Sequence, residues 1–581
     1  MPGLLLGPLL RHVGERDATV WVETDAGCEV EVRAAQGSAG AVQDARIAAL
    51  GDAHGASGRA RTFTVAGHHY AIVVIDGLPP ATSTAYEVLL DGEVVWPQPE
   101  SPFPPSRIRT IGPHGPVRIL FGSCREPPTV RPDFKGLDPD AFVAYANRMM
   151  QQDYGRWPDL LILVGDQVYA DDTSPEVRDF IRSRRDIRKP PGDEVATFEE
   201  YTRLYYESWG EPTVRWFLST IPTSMIFDDH DVRDDWNTSY AWRRDMQRTS
   251  WWAERITGAL MSYWLYQHLG NLSPAGLEAD AMYQKAIGLP DAEAALRDFA
   301  QAADREADGA KGTQWSYRRD VGPVRLLVID SRCGRVLDEG RTRAMVSDAE
   351  FDWIERQSDD GSYEHLVVAT SMPWLLPRAL HDIESWNEAL CAGSRGPILA
   401  RLSEKVRRAV DLEHWAAFRG SFERLAAWFA RVGAPDRGDA APATICVLSG
   451  DVHHTYVSEA SYPKRLATRV YQITCSPIHN TIPLPMRLVF KASWSHTFER
   501  FVGVFRRWAH VPPPPIRWHH PTGPHFGNML ALLILDGREA RLVLEQAIKA
   551  DTPGAPTKAT SEAKLVVTKE LSLTGTPRRA A

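Results

Sequence analysis

At 581 residues the chain is longer than one hydrophobic core supports, which predicts a small domain beside a large one. A hydrophobic content of 43% and a charged content of 24% exclude a largely disordered or fibrous protein. The formal net charge of −9 argues against a non-specific nucleic-acid or membrane-surface binder, which wants a basic face, and suits the binding of cations. Six cysteines (Cys28, Cys124, Cys333, Cys391, Cys446 and Cys475) stand without paired spacing, so a reducing compartment is expected rather than a disulfide framework. Met1 to Pro8 carry no charged n-region or twin arginine, and no stretch reaches the ~20 apolar residues that span a bilayer. The expectation is a cytoplasmic protein with no membrane span, acting on a small molecule rather than on nucleic acid.

Residues 1 to about 96 alternate apolar and polar, as in Thr19-Val20-Trp21-Val22-Glu23 and Tyr86-Glu87-Val88-Leu89-Leu90, with Asp91-Gly92 as a hairpin turn. This predicts a small all-β sandwich over residues 1–110. Val74 to Thr82, ahead of Tyr86, resembles the late strands of fibronectin type III modules, which implies a fibronectin/Ig-like fold. No polar cluster in it suggests chemistry. Seven prolines between Trp96 and Pro116 (Pro97, Pro99, Pro102, Pro104, Pro105, Pro113, Pro116) mark the linker.

The large domain, residues 111–550, repeats one pattern: an apolar run that ends in a polar cluster. Val117 to Phe121 precede Ser123-Cys124-Arg125, Leu160 to Val164 precede Gly165-Asp166, and Met225 to Phe227 precede Asp228-Asp229-His230-Asp231. Leu326 to Ile329 lead to Asp330-Ser331-Arg332, Leu366 to Ala369 to Thr370-Ser371, Cys446 to Leu448 to Ser449-Gly450-Asp451-Val452-His453-His454, and Val470 to Thr474 to Cys475-Ser476. Seven short strands with one polar side and helical stretches between them predict an α/β fold with helices outside. A helical insert is expected at about 175–315, a closing hairpin around Asp536-Gly537, and a flexible polar tail at 551–581.

Ligands gather at the carboxyl ends of strands in such folds. Gly165 lets the chain turn so that Asp166 and Tyr169 converge on one point, which this residue chemistry marks as a metal ion. Carboxylates suit hard cations, while imidazole, phenolate and thiolate suit transition metals, and the chain brings both sets to strand ends.

Gly165-Asp166-Gln167-Val168-Tyr169, Asp229-His230-Asp231 and Gly450-Asp451-Val452-His453 resemble the ordered motifs of calcineurin-type metallophosphoesterases. With Ser123-Cys124, Asp171-Asp172, Asp234-Asp235-Trp236 and His454, they resemble most the PhoD-like alkaline phosphatases within that superfamily. The resemblance implies a four-layer metallophosphoesterase β-sandwich flanked by helices and a phosphoric ester hydrolase acting on monoesters or diesters. It implies Asp166 as the carboxylate bridging two metals, with Cys124, Tyr169 and His453 completing a site suited to Fe3+. Asp229 and Asp451 then stand where the superfamily supplies Asn and His, and such an oxygen-rich second site favours Ca2+. His230 matches the histidine left off the metals and is the expected general acid. Asp171, Asp172, Asp228 and Asp231 exceed what two metals need: some orient His230 or a ligand water, and a second Ca2+ or another divalent metal stays open, while Arg125, Arg332 and His454 are candidate substrate contacts. Two other classes stay open: a nucleophilic-cysteine enzyme using Cys124, which lacks the Cys-x5-Arg cradle, and a metal-stabilised binding or adhesion protein on this fold, which leaves His230 without a role.

Overall fold

The computed structural model describes residues 1–35, 55–112, 115–131, 137–308, 312–338, 343–360, 363–482, 484–550 and 563–575. The amino-terminal strands form two antiparallel sheets. Leu4–Val13, Asp17–Thr24, His68–Asp76 and Phe63–Val65 are neighbours in one, and Ser57–Arg61, Glu29–Ala34, Ser83–Leu90 and Glu93–Trp96 in the other. Their facing side chains, among them Val20, Val22, Val30, Val32, Val73 and Val88, make a core of their own. The opposite face of the first sheet is also apolar: Leu6, Leu9, Trp21 and Tyr70 join the core of the larger part of the chain. The sandwich is thus docked on the helices of the insert by a buried apolar face.

At that junction a charged network centres on His68. His68 bonds Glu23 through Nδ1 at 3.0 Å and Glu199, on the insert helix Phe198–Gly210, through Nε2 at 2.8 Å. Glu23 is fully buried and also accepts from Tyr206 and Tyr266. Burial opposes a charge on His68, but the hydrogen bonds and charges of Glu199 and Glu23 outweigh it and raise its pKa to about 9. A raised histidine stabilises the fold in full below its unfolded pKa near 6.5, and that contribution is lost as pH climbs through about 9. Chemical denaturation at pH 7 and pH 10 should therefore show the wild type losing about 2 kcal/mol more than His68→Gln over that interval. Equal losses would remove the ion pair as a stabilising contact.

The seven expected strands form two sheets, as the four-layer sandwich requires. Thr223–Ile226, Leu160–Val164 and Val117–Gly122 run parallel and continue antiparallel into Met529–Asp536, Glu539–Lys549 and Ala563–Ser572. Val324–Ile329, His365–Thr370, Thr444–Ser449 and Arg469–Thr474 run parallel in the second sheet, flanked by Tyr317–Val321 on one side and Thr455–Ser461 and Arg517–His525 on the other. Alternation explains the layering. Leu326, Val328, Val367 and Leu448 share a core with the first sheet, whereas Leu327, Ile329, Leu366, Val368 and Val447 pack with Phe351, Trp428 and Phe429 of outer helices. The first sheet's far side meets Phe142 and Tyr145 of the helix Ala141–Met149. This is a mixed α/β architecture of two packed sheets between helices, joined to an all-β amino-terminal part.

The insert expected at 175–315 is helical apart from Thr223–Ile226. The tail is not wholly loose: Ala563–Ser572 pairs with Glu539–Lys549 along its length, because Leu565, Val567 and Leu571 alternate with charged residues in strand fashion. Residues 551–562 and 576–581 of the expected tail lie outside the described residues.

Candidate metal centre

Both sheets bring the carboxyl ends of their parallel strands to one edge, and every polar cluster named above sits there. The turns that follow are sharp. Cys124, Asp166, Asp451 and His453 all have positive φ, at 56°, 46°, 67° and 50°. Such backbone costs on the order of 1 kcal/mol or more for a residue with a side chain, and four cases at one edge mark a functional site. Gly165 (φ 114°) has no room for a Cβ, which would stand 2.6 Å from that of Asp228. Gly450 is pressed as closely, since a Cβ there would meet Ser123 Oγ. These two contacts join the four strand-end loops in pairs.

Donor atoms of Cys124, Asp166 and His453 lie within 4.8 Å of one another. Tyr169 joins them: its hydroxyl donates to Asp166 Oδ2 at 3.5 Å and accepts from Asn480 Nδ2 at 2.9 Å. The four residues assigned to one metal are therefore brought together. Asp166 Oδ1 is buried and has no hydrogen-bond partner among the described residues. An unpaired carboxylate oxygen surrounded by thiol, phenol and imidazole is a donor set that fits a transition-metal cation.

On the other side of Asp166 the carboxylates of Asp166, Asp228 and Asp229 lie within 4.8 Å of one another, and Asp228 Oδ2 is likewise buried without a partner. Asp228, one of the acids beyond the assigned ligands, stands in this group. Asp451, expected beside Asp229, shares Arg332 Nη2 with it at 3.1 Å, and its Oδ2 faces His414 Nε2 at 2.9 Å. His414 was missed. It follows Glu413 in a stretch between helices with no strand-end pattern, and the acid-imidazole pair in an otherwise apolar run, Leu412-Glu413-His414-Trp415, was its only signal. Its Nδ1 faces Glu384 at 2.6 Å. Ser371, just past the strand His365–Thr370, bonds Ser331 at 2.9 Å.

Arg332 is fully buried, and its three nitrogens all point at acids: Nε at Asp228, Nη1 at Glu413, Nη2 at both Asp229 and Asp451 at 3.1 Å. It neutralises the carboxylates rather than offering a fork to phosphate, because four buried acids need a cation more than a ligand does. Arg125 is similarly committed, to Asp140 at 3.0 Å and the Ser208 carbonyl at 2.8 Å. His454 bonds the Val452 carbonyl through Nδ1 and packs among Tyr456, Phe490 and Phe526, while its Nε2 is buried with no partner among the described residues. Of the three expected substrate contacts, both arginines are thus committed to acids or a carbonyl.

His230 does face it. Nδ1 lies 2.9 Å from Asp171 Oδ1, its ring centroid is 4.9 Å from that of Tyr169, and its side chain keeps 26% of its surface exposed. Asp171 also accepts from the Asp234 amide at 2.7 Å, which fixes the dyad. Asp231 accepts from the Gln167, Val168 and Asp228 amides and so ties two loops. Glu126, also missed, is a buried carboxylate near Arg131 (3.1 Å), and burial raises it to about 7. Asp172 pairs with Arg131 at 2.6 Å.

The electrostatics tell of a site short of positive charge. Burial first, and then neighbouring carboxylates, drive Asp166 and Asp228 well above the usual carboxyl range. Burial and Asp166 push the Cys124 thiol up, and burial holds His453 down to about 4, the neutral form a metal takes. Burial also disfavours charge on His230, yet Asp171, then Asp229 and Asp166, outweigh it and raise its pKa well above the ordinary value.

Residues 133–500 match the family model described as PhoD-like phosphatase. The chain belongs to the PhoD-like phosphatase family. Residues 1–108 match a model described as a domain of unknown function, DUF7800. Among solved structures, the chain is similar to one titled "Structure of PhoD", with 12% identity and a TM-score of 0.56 over 97% of this chain and 89% of the other. A purple acid phosphatase, PPD1, from yellow lupin (Lupinus luteus) seeds aligns at 10% identity with a TM-score of 0.42 over 93% of this chain and 71% of its own. No curated protein matches the sequence. This PhoD-like phosphatase is a phosphoester hydrolase with candidate metal-binding residues at one sheet edge. No helix among its described residues is long and apolar enough to cross a membrane.

Proposed function

We infer that the chain hydrolyses small-molecule phosphate esters, mono- or diesters, at a two-cation site built on Asp166. The observation that carries this reading is the convergence of Cys124, Tyr169 and His453 on Asp166, whose second carboxylate oxygen is buried and unpaired. Cys124, Asp166, Tyr169 and His453 would hold iron, and Asp166, Asp228 and Asp229, with Asp451 beside them on Arg332, would hold calcium. Ions held there would supply Lewis-acid polarisation of the phosphoryl group and a more acidic water nucleophile. The remaining work belongs to side chains. Asp171 accepts at Nδ1 of His230 and so leaves Nε2, 3.8 Å from Asp234 Oδ1, to keep a proton for the departing alkoxide. Tyr169 packs beside that imidazole and limits its rotation. Arg332 keeps Asp228, Asp229 and Asp451 from repelling one another apart before the site is filled.

The ligand assignment has a visible test. Protein purified without added metal should carry near-stoichiometric iron and absorb visible light through charge transfer from Tyr169, and Tyr169→Phe should lose most of that band while keeping iron. A colourless wild type, fully active with zinc alone, overturns the assignment.

A further inference from the structure

Two helices beside the site are turned apolar side outwards. Pro397–Ala409 buries Ser403 and Arg407 but shows solvent Ile398, Leu402 and Val406, which are 81%, 56% and 39% exposed, with Val410 at 57% just beyond. His496–Trp508 buries Val502 and shows Phe501, Val504, Phe505 and Trp508, at 58%, 55%, 40% and 46%. Spacings of three and four place each set on one stripe, and a helix of a soluble domain normally turns that stripe inward. The stripes are neighbours. Both helices pack on Arg378–Cys391, and Arg395, just ahead of the first, lies 4.8 Å over the Trp508 ring and donates to its carbonyl.

Charge decides what covers this face. Residues 395–410 hold five basic side chains against one acid, and residues 484–510 hold the same, in a chain whose net charge is −9. Arg401, Lys405, Lys491, Arg500 and Arg507 are exposed. We propose that this face docks on an anionic lipid surface, the two helices lying in the headgroup plane with their apolar stripes inserted and their basic residues against lipid phosphates. A second copy of the chain is the poorer occupant, because a twofold contact would set these basic residues against themselves. The whole-chain charge, read above as excluding a membrane surface, averages over this local excess. The neighbouring helix Leu484–Ser493 reaches His454, whose ring packs on Phe490 with centroids 4.9 Å apart, but the proposal does not depend on the chemistry assigned to the metal edge.

The test is co-sedimentation of the full chain with vesicles of phosphatidylcholine alone and of phosphatidylcholine containing one-third phosphatidylglycerol. Binding should be at least about tenfold tighter to the anionic vesicles and weaken with added salt. Leu402→Glu combined with Phe505→Glu should abolish it while hydrolysis of a soluble nitrophenyl ester stays at the wild-type rate, which also reports that the variant folds. Arg401→Gln with Arg500→Gln should reduce the preference for the anionic vesicles. The proposal is overturned if neither vesicle sediments the protein, or if Leu402→Glu/Phe505→Glu binds as the wild type does. It is overturned equally if that variant converts a dimer to a monomer in lipid-free buffer, since the face then belongs to a second copy.

Discussion

Asp166→Asn is expected to lower kcat for a nitrophenyl phosphate ester by at least about 10³-fold and to release metal from both sites. The carboxylate is the one group within reach of both donor clusters: Cys124 and His453 on one side, Asp228 and Asp229 on the other. Asparagine keeps the shape and removes the charge. Burial already makes that charge expensive, so a fold that retains it without a paired cation spends stability on function. The same substitution should therefore leave the apo protein as stable as the wild type or more so, and metal analysis beside a denaturation curve checks both halves. Retained metal and activity would move the centre elsewhere.

The second large effect is at His230. His230→Ala should leave metal content unchanged and reduce kcat by about 10² to 10⁴-fold with little change in KM, because a proton donor acts only as the leaving oxygen gains charge. The loss should shrink for nitrophenolate and grow for alkyl leaving groups, which need the proton. Asp171→Asn, which keeps the hydrogen-bonding shape but loses the charge that raises the His230 pKa, should show the same leaving-group trend more weakly. A competing role has its own support, since a ring nitrogen of His230 lies within 4.8 Å of Asp229 and Asp234 carboxylate oxygens. Metal loss in His230→Ala, or equal slowing of good and poor leaving groups, would make it a ligand instead.

Much of this site is legible from sequence because its residues follow strands. Cys124, Asp166, Tyr169, Asp229, His230 and His453 each come within a few residues of an apolar run, and strand ends converge by topology without any knowledge of side-chain contacts. His414 and Glu413 are illegible for the opposite reason. They reach the site from a loop between helices, where neither period nor spacing points to the sheet edge. Arg332 was placed at the edge, but whether a guanidinium faces substrate or acid depends on how many carboxylates surround it, and that is a fact of packing. Which strands belong to which of the two sheets is not legible, because parallel runs buried on both faces read alike wherever they pair. Ala563–Ser572 looked like a tail because polar residues alternate with its apolar ones, which is also what an edge strand requires.

The central claim, phosphoester hydrolysis that depends on cations held around Asp166, is tested most directly by chelation and reconstitution of the wild type. Dialysis against a strong chelator and reductant should abolish hydrolysis of a nitrophenyl phosphate ester while the protein still unfolds cooperatively, and iron with calcium together should restore the rate where either alone does not. Full activity in protein shown to be free of metal would contradict the account.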